Sequence, residues 1–424
     1  MKDSGIDWIG QIPDDWNIWP TKRFFRHTKT LAGEQVDSYE RLALTMNGVI
    51  KRSKDDSEGL QPEKFDTYQV LRENELVFKL IDLANVKTSR VGLSPYTGIV
   101  SPAYIILTND NEDNRFYYYY FMSMYYNEIF NNLGDNGVRS SLNAQDLLNI
   151  PMVDIPGSLR KRIADFLDEK CSKIDRYIEK QQQVIEKLKA YKLSVITEAV
   201  TKGLNPDVPM KDSGMRYKFN IPSHWENRKV ISVLSMRVVD GAHESPELLD
   251  EGIPYISATA IVNGKIDFSQ KRGFISAEYC NICDQRYTPK LDDILMIKLG
   301  ASTGQVAMVE TTERFNIWVP LAAIRCNENA FPKFMYYAFQ SDYFIKQMEL
   351  SWTYGTQQTL GVKTIEKLRI LMPKIEEQKQ IADYLSNKCS QLDATIEKYQ
   401  RIVDKLTEYK KSLIYEAVTG KIEV

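Results

Sequence analysis

The chain has 424 residues, 43% hydrophobic and 26% charged, a balance that excludes a disordered protein and a length that exceeds one ordinary domain. With 55 basic and 57 acidic residues the formal charge is −2, which excludes polyanion binding through bulk charge but not through local basic patches. Five scattered cysteines and no leader pattern point to a reducing cytoplasm, and no apolar run approaches the ~18 residues of a membrane span.

Residues 1–155 read as a mixed α/β segment. Short strands are expected at Glu75 to Lys79 and from Ile99 through Leu107, and an aromatic-rich helix from Arg115 to Ile129. The run Tyr117 to Tyr120 has the composition of a base-stacking surface, but large rings packed on a sheet explain it more simply. Its polar loops carry Lys51, Arg52 and Lys54, then Lys87, Ser89 and Arg90, then Arg139 and Ser140.

Residues 156–202 predict one long helix, with apolar positions Ile163, Leu167, Ile174, Ile178, Ile185, Leu188 and Val195 on one side. A linker, 203–209, leads into a second mixed segment, 210–372. Strands are expected there at Asp293 to Lys298 and Gln305 through Val309, and aromatic helix from Pro332 to Met348. Its loops offer Lys271 and Arg272; Lys298, Ser302, Thr303 and Gln305; and Tyr354, Thr356, Gln357 and Gln358. Residues 373–424 return to helix and a short tail, with a seam of Ile381, Leu385, Leu392, Ile396, Val403, Leu406 and Leu413. Each helix should run roughly 40 residues, near 60 Å at about 1.5 Å per residue. A narrow seam on so long a helix needs cover; packing on the helix's own globular domain is one reading, and two alike seams in one chain favour the other, that the helices pair antiparallel with each other. Cys171 and Cys389, at equivalent seam positions, read as buried apolar residues without a redox role.

The chain is written twice. Met1-Lys2-Asp3-Ser4-Gly5 returns as Met210-Lys211-Asp212-Ser213-Gly214, and Ile163 to Thr201 aligns without a gap to Ile381 to Thr419 with 22 of 39 positions identical. Between these anchors the halves diverge but keep an outline: Pro102 matches Pro320, Gly137 matches Gly355 and Leu142 matches Leu360. Two scaffolding segments stayed alike while two larger ones drifted apart.

Motifs of catalysis are missing. There is no phosphate-binding lysine loop, no dinucleotide fingerprint and no Asn/Asp-Pro-Pro-Tyr/Phe tetrapeptide of an amino-methyltransferase. His27, His224 and His243 have no ligand spacing, and the single pair Cys280 and Cys283 lacks the two further ligands zinc requires. The loop residues instead suit nucleic acid: Arg, Lys, Gln and Asn reach base edges, and Ser, Thr and Gly amides suit phosphate oxygens. Arg139 and Gln357, at equivalent places, are expected to discriminate bases, and Lys54 to touch phosphate.

The central stretch Tyr191-Lys192 through Ile196-Thr197-Glu198-Ala199-Val200-Thr201-Lys202-Gly203-Leu204, with Val208-Pro209-Met210-Lys211-Asp212-Ser213-Gly214 after it, carries a resemblance. So do Ile221-Pro222 with Trp225, Glu376-Glu377-Gln378 before Ile381-Ala382, and the closing Ile414-Tyr415-Glu416-Ala417-Val418-Thr419-Gly420-Lys421-Ile422. In these motifs, and over essentially its whole length, the chain resembles the specificity subunits of Type I restriction–modification systems. It departs at Pro156-Gly157-Ser158-Leu159-Arg160-Lys161, where the family has a Glu-Glu-Gln-like turn, which predicts an irregular helix start.

The resemblance implies an α+β fold: two mixed α/β target recognition domains joined by two long helices in an antiparallel coiled coil, with a pseudo-twofold internal repeat. It implies that each recognition domain reads one half of a bipartite double-stranded DNA site. The helices would set the spacing and dock two modification subunits. S-adenosylmethionine would act in those partners, and ATP and Mg in two motor-nuclease restriction subunits, leaving this chain without cofactor, metal or catalysis. The competing expectations are a specificity subunit of another restriction class or of a methyltransferase-only complex, a scaffold that binds no DNA, and an enzyme with an unrecognised site.

Overall fold

A computed structural model describes residues 1–54, 65–81, 83, 90–111, 113–133, 141–216, 218–354 and 358–424, with the side chains of 353 and 354 left aside. The chain divides into two compact units, Met1–Gln182 with Arg401–Val424, and Gln183–Gln400.

In the first unit, one four-stranded sheet has the order 26–27, 105–108, 76–78, 91–93, and a second the order 48–52, 41–45, 98–100, 69–71. Leu76–Phe78 is wholly buried because it has a strand on each side and the helix Arg115–Tyr126 across its face. Phe78 meets Phe121 edge to face at 4.9 Å, and Tyr117, Tyr119 and Tyr120 are buried, so this aromatic run is core. The helix ends at Tyr126 and a second, Ile129–Leu133, follows after Glu128 takes a left-handed φ of 56°. Asn143 caps the helix Ala144–Asn149 with a reciprocal box, accepting from Asp146 N–H while the Asp146 carboxylate accepts from Asn143 N–H at 2.9 Å.

The second unit repeats this plan. Its four-stranded sheet runs 239–240, 321–324, 294–297, 306–308, and again the central strand, Ile294–Ile297, is buried throughout. Asn74 and Asp292 both enter their central strands in the left-handed region, at φ 65° and 67°. The aromatic helix is broken into Pro332–Phe339 and Asp342–Glu349 around Ser341, whose buried hydroxyl donates to Ala338 carbonyl at 2.5 Å. The protein is thus α+β and internally repeated.

Two long helices, α1 (Gly157–Lys202) and α2 (Ile375–Val418), each belong partly to both units. The start of α1 is regular, correcting the expected irregularity: Pro156 carbonyl accepts from both Leu159 and Arg160 N–H at 3.0 Å, and proline is well tolerated at a helix entrance. At α2 the side chain of Gln378 is buried and donates to Pro373 and Asn329 carbonyls while accepting from Phe331 N–H. Both helices stop on a left-handed glycine. Gly203 (φ 73°) follows α1, and Gly420 (φ 72°) lies where a Cβ would sit 2.6 Å from the Pro13 ring and 2.8 Å from Trp16.

Within the first unit α1 and α2 pack antiparallel, with Ile163, Leu167, Cys171 and Ile174 in one core with Leu413, Ile414, Ala417 and Val418. Within the second unit Ile196, Ala199 and Val200 share a core with Ile381, Ala382, Leu385 and Cys389. Each unit carries the same interhelical ion pair: Lys410 to Asp175 in the first and Lys192 to Asp393 in the second, both at 2.7 Å. These positions are related by the shift that carries Ile163 onto Ile381, so the two units use one helix register.

Candidate nucleic-acid interface

Each mixed α/β segment brings the loop after its central strand against the segment that precedes a short helix. In the first unit Leu142 N–H donates to Leu80 carbonyl at 3.0 Å, and in the second Leu360 N–H donates to Lys298 carbonyl at 2.9 Å, at equivalent positions. The second unit extends the contact. Gly300 N–H donates to Gln358 carbonyl at 3.0 Å, and Leu299 bridges Thr359. Thr353–Tyr354 pairs with Gln358–Thr359, so the Lys298 to Gln305 loop and this hairpin form one platform. Ser302 and Gln305 are exposed on it, and Gln358 is partly buried.

Several expected contacts are interior and are corrected here. Arg90 is 2% exposed and donates to the carbonyls of Ile81 and Leu83, both at 3.1 Å, so it ties its own loop to the domain. Lys298 is 7% exposed, its ammonium 3.0 Å from Asp240. Thr303 is buried, its hydroxyl donating to Gly300 carbonyl at 2.7 Å. Lys54 is not interior but partly buried, and its ammonium donates to Val36 carbonyl at 2.7 Å. Lys51 is exposed but engages Glu40 at 2.6 Å beside the Tyr96 ring, with Arg52 partly buried on the same strand. Lys87, Ser89, Arg139, Ser140, Thr356 and Gln357 lie outside the described residues, as does the side chain of Tyr354.

Lys271 and Arg272 are placed differently. The Lys271 ammonium lies 4.5 Å from the Phe274 ring centre and the Arg272 guanidinium 3.3 Å from that of Trp318. Nη2 of Arg272 donates to Ser245 Oγ at 3.5 Å. Neither the Trp318 seat nor Ser245 is visible in the sequence, because 46 and 27 residues separate them from Arg272.

Asp240 is a second feature that sequence reasoning missed. Burial disfavours its charge, but the hydrogen bond and charge of Lys298, with Arg286 and His243 alongside, hold its carboxyl below the usual carboxylate range. The signal available was only that Asp240 precedes Gly241, whose Cβ would lie 2.2 Å from the Ile317 carbonyl oxygen and so forces the chain against that strand.

No group of three or more possible metal ligands occurs among the described residues. Cys280 and Cys283 are buried in the helix Ala277–Arg286, and burial pushes both thiols up. Along the helices, Ile163, Leu167, Ile174, Ile185, Ile381, Leu385, Leu392, Val403 and Leu413 are buried, while Ile178, Leu188, Val195, Ile396 and Leu406 are partly so. Ile196 is more buried than Val195, so the face turns by one residue there. No helix among the described residues is long and apolar enough to cross a membrane.

Residues 222–408 match the family described as Type I restriction modification DNA specificity domain. The chain is 23% identical over 291 residues to the type I restriction enzyme EcoBI specificity subunit of Escherichia coli, covering 67% of this chain. It is 22% identical over 437 aligned positions to the putative type I restriction enzyme MjaX specificity subunit of Methanocaldococcus jannaschii, covering 98% of this chain and 96% of that protein. It spans 60% of the EcoBI protein and 63% of the MjaVIII specificity subunit of the same archaeon. A solved chain described under "Structural basis underlying complex assembly and conformational transition of the type I R-M system" shares the fold. Its TM-score is 0.64 at 14% identity, over 97% of this chain and 100% of that one.

Proposed function

We propose, from the premise that residues 222–408 match the type I restriction modification DNA specificity domains, that this chain is the DNA specificity subunit of a type I restriction–modification complex. Residues 1–155 and 210–372 each read one half of an asymmetric, bipartite duplex site. The helices within 156–202 and 373–424 set the distance between half-sites, about one helical turn or 10 base pairs centre to centre. The same helices dock the modification subunits, which carry S-adenosylmethionine and methylate adenine. This chain contributes no reacting group.

The observation that carries the reading is the duplicated loop contact, Leu142 to Leu80 and Leu360 to Lys298, in halves whose loop residues otherwise differ. One frame holds two unlike sets of polar side chains, as two unlike half-sites require. A near-neutral chain is a weak stand-alone binder of DNA, since non-specific affinity comes chiefly from phosphate neutralisation, which suits a subunit that acts inside a complex.

Mapping methylated adenines in DNA from cells that express the chain with its modification partner tests this. Two different short sequences flanking an unspecified spacer are expected, and the same sequence read by both halves rejects the assignment. Replacing residues 1–155 with another first recognition domain should change one half-site alone.

A further inference from the structure

Besides Arg272 the second unit has seven arginines, and five of them, all but Arg216 and Arg369, are neutralised internally. Arg228 meets Glu226 at 2.6 Å, Arg237 meets Glu366 at 2.8 Å, and Arg314 and Arg325 meet Asp284 and Asp293 at 2.7 Å. Arg286 is paired with Asp240. Arg272 and its neighbour Lys271 have no carboxylate partner among the described residues; each rests on an aromatic ring, and the Lys271 ammonium also donates to Phe268 carbonyl at 3.4 Å.

Their position is fixed by backbone and not by loop chance. Arg272 N–H donates to Tyr255 carbonyl at 2.9 Å, at the point where Gly273 joins the ladder opposite Tyr255. The flat stack on Trp318 restricts the guanidinium before any ligand arrives, so less rotamer freedom is lost on binding. Nη2 stands beside Ser245 Oγ in an exposed contact, while Nη1 is buried and faces no ligand. The exposed edge of the arginine fork, the Ser245 hydroxyl and the lysine next in sequence supply donors of the kind a phosphodiester oxygen accepts.

We propose that Lys271, Arg272 and Ser245 form a backbone-phosphate clamp that seats the second recognition domain on DNA without reading its bases. The clamp rests on the DNA-reading role proposed above. It differs from the platform that carries Gln305 and Gln358, whose amides are suited to base edges.

The test uses the full-length chain co-expressed with its modification subunits, titrated with a random-sequence duplex and with the mapped site from about 50 to 200 mM salt. Arg272→Ala and Lys271→Ala should each reduce the slope of log K against log salt by about 0.9, and the double variant by about 1.8. Both duplexes should be affected alike. Arg228→Ala, which removes an internally paired charge, should leave the slope unchanged. Arg272→Gln and Lys271→Gln, which keep the stems on their rings, replace any alanine variant that fails to fold. An unchanged slope in the double variant, or a loss confined to the mapped site, overturns the clamp alone. A wild-type complex that binds neither duplex overturns the clamp together with the DNA-reading role.

Discussion

Lys298 was expected at the DNA surface and lies buried against Asp240, so Lys298→Met is an informative change. It keeps the length and apolar stem and removes only the ammonium. Breaking a buried ion pair by deleting one partner costs about 3–5 kcal/mol. Here Arg286 remains on Asp240, and its side chain is half exposed, so the expected loss is smaller, about 2 kcal/mol. Lys298 directly follows the strand Ile294–Ile297, so amide hydrogen exchange of that strand, followed by mass spectrometry, reports the loss locally. About 2 kcal/mol corresponds to roughly thirty-fold faster exchange. Adding Asp240→Asn removes the carboxylate that Lys298 no longer balances and should recover part of the protection. If Lys298→Met exchanges like the wild type and instead flattens the salt dependence of DNA binding, the lysine contacts phosphate and the buried pair has no structural role.

Leu167→Ala and Leu385→Ala, at equivalent, fully buried positions, should each destabilise their own unit by about 2–5 kcal/mol; hydrogen exchange confined to the other unit would contradict the assignment of these side chains to separate cores. Cys171 and Cys389 should resist alkylation near pH 8 in the native protein, since burial pushes both thiols up to about 11; rapid labelling detected by mass spectrometry would show the seam to be open. Asp240, held below the usual carboxylate range, adds stability that is present above its unfolded value of about 3.9 and is lost as pH falls through its lower folded value. Acid unfolding followed by circular dichroism should therefore be less steep in Asp240→Asn with Lys298→Met, and identical acid limbs would remove Asp240 from the account.

The scaffold was legible because period and repeat both report burial. The Leu167 and Leu385 positions follow directly from helical spacing, and buried strands such as Ile294–Ile297 show as short apolar runs bounded by turn residues. At Tyr117 to Tyr120 the packing of large rings on a sheet, and not their base-stacking composition, foretold that Tyr117, Tyr119 and Tyr120 are interior. Loop cations were less legible. Lys298, Arg90 and Lys54 look the same in sequence as Lys271 and Arg272, yet the first three satisfy their charge or hydrogen bonds inside the domain. Which outcome a cation meets depends on partners such as Asp240, 58 residues from Lys298, or Trp318, 46 residues from Arg272. No local pattern encodes those meetings.

The shared core of α1 and α2 in the first unit also orders events in time. Leu413, Ile414, Ala417 and Val418 complete a core whose other members lie between Ile9 and Ile174. During synthesis that core waits, with apolar surface uncovered, while more than two hundred further residues are made. The second unit is drawn from the continuous stretch Gln183–Gln400 and has no such delay. The domain made first is thus the one finished last, and a ribosome stalled before residue 413 should release a chain whose second half is protease-resistant and whose first half is a chaperone client.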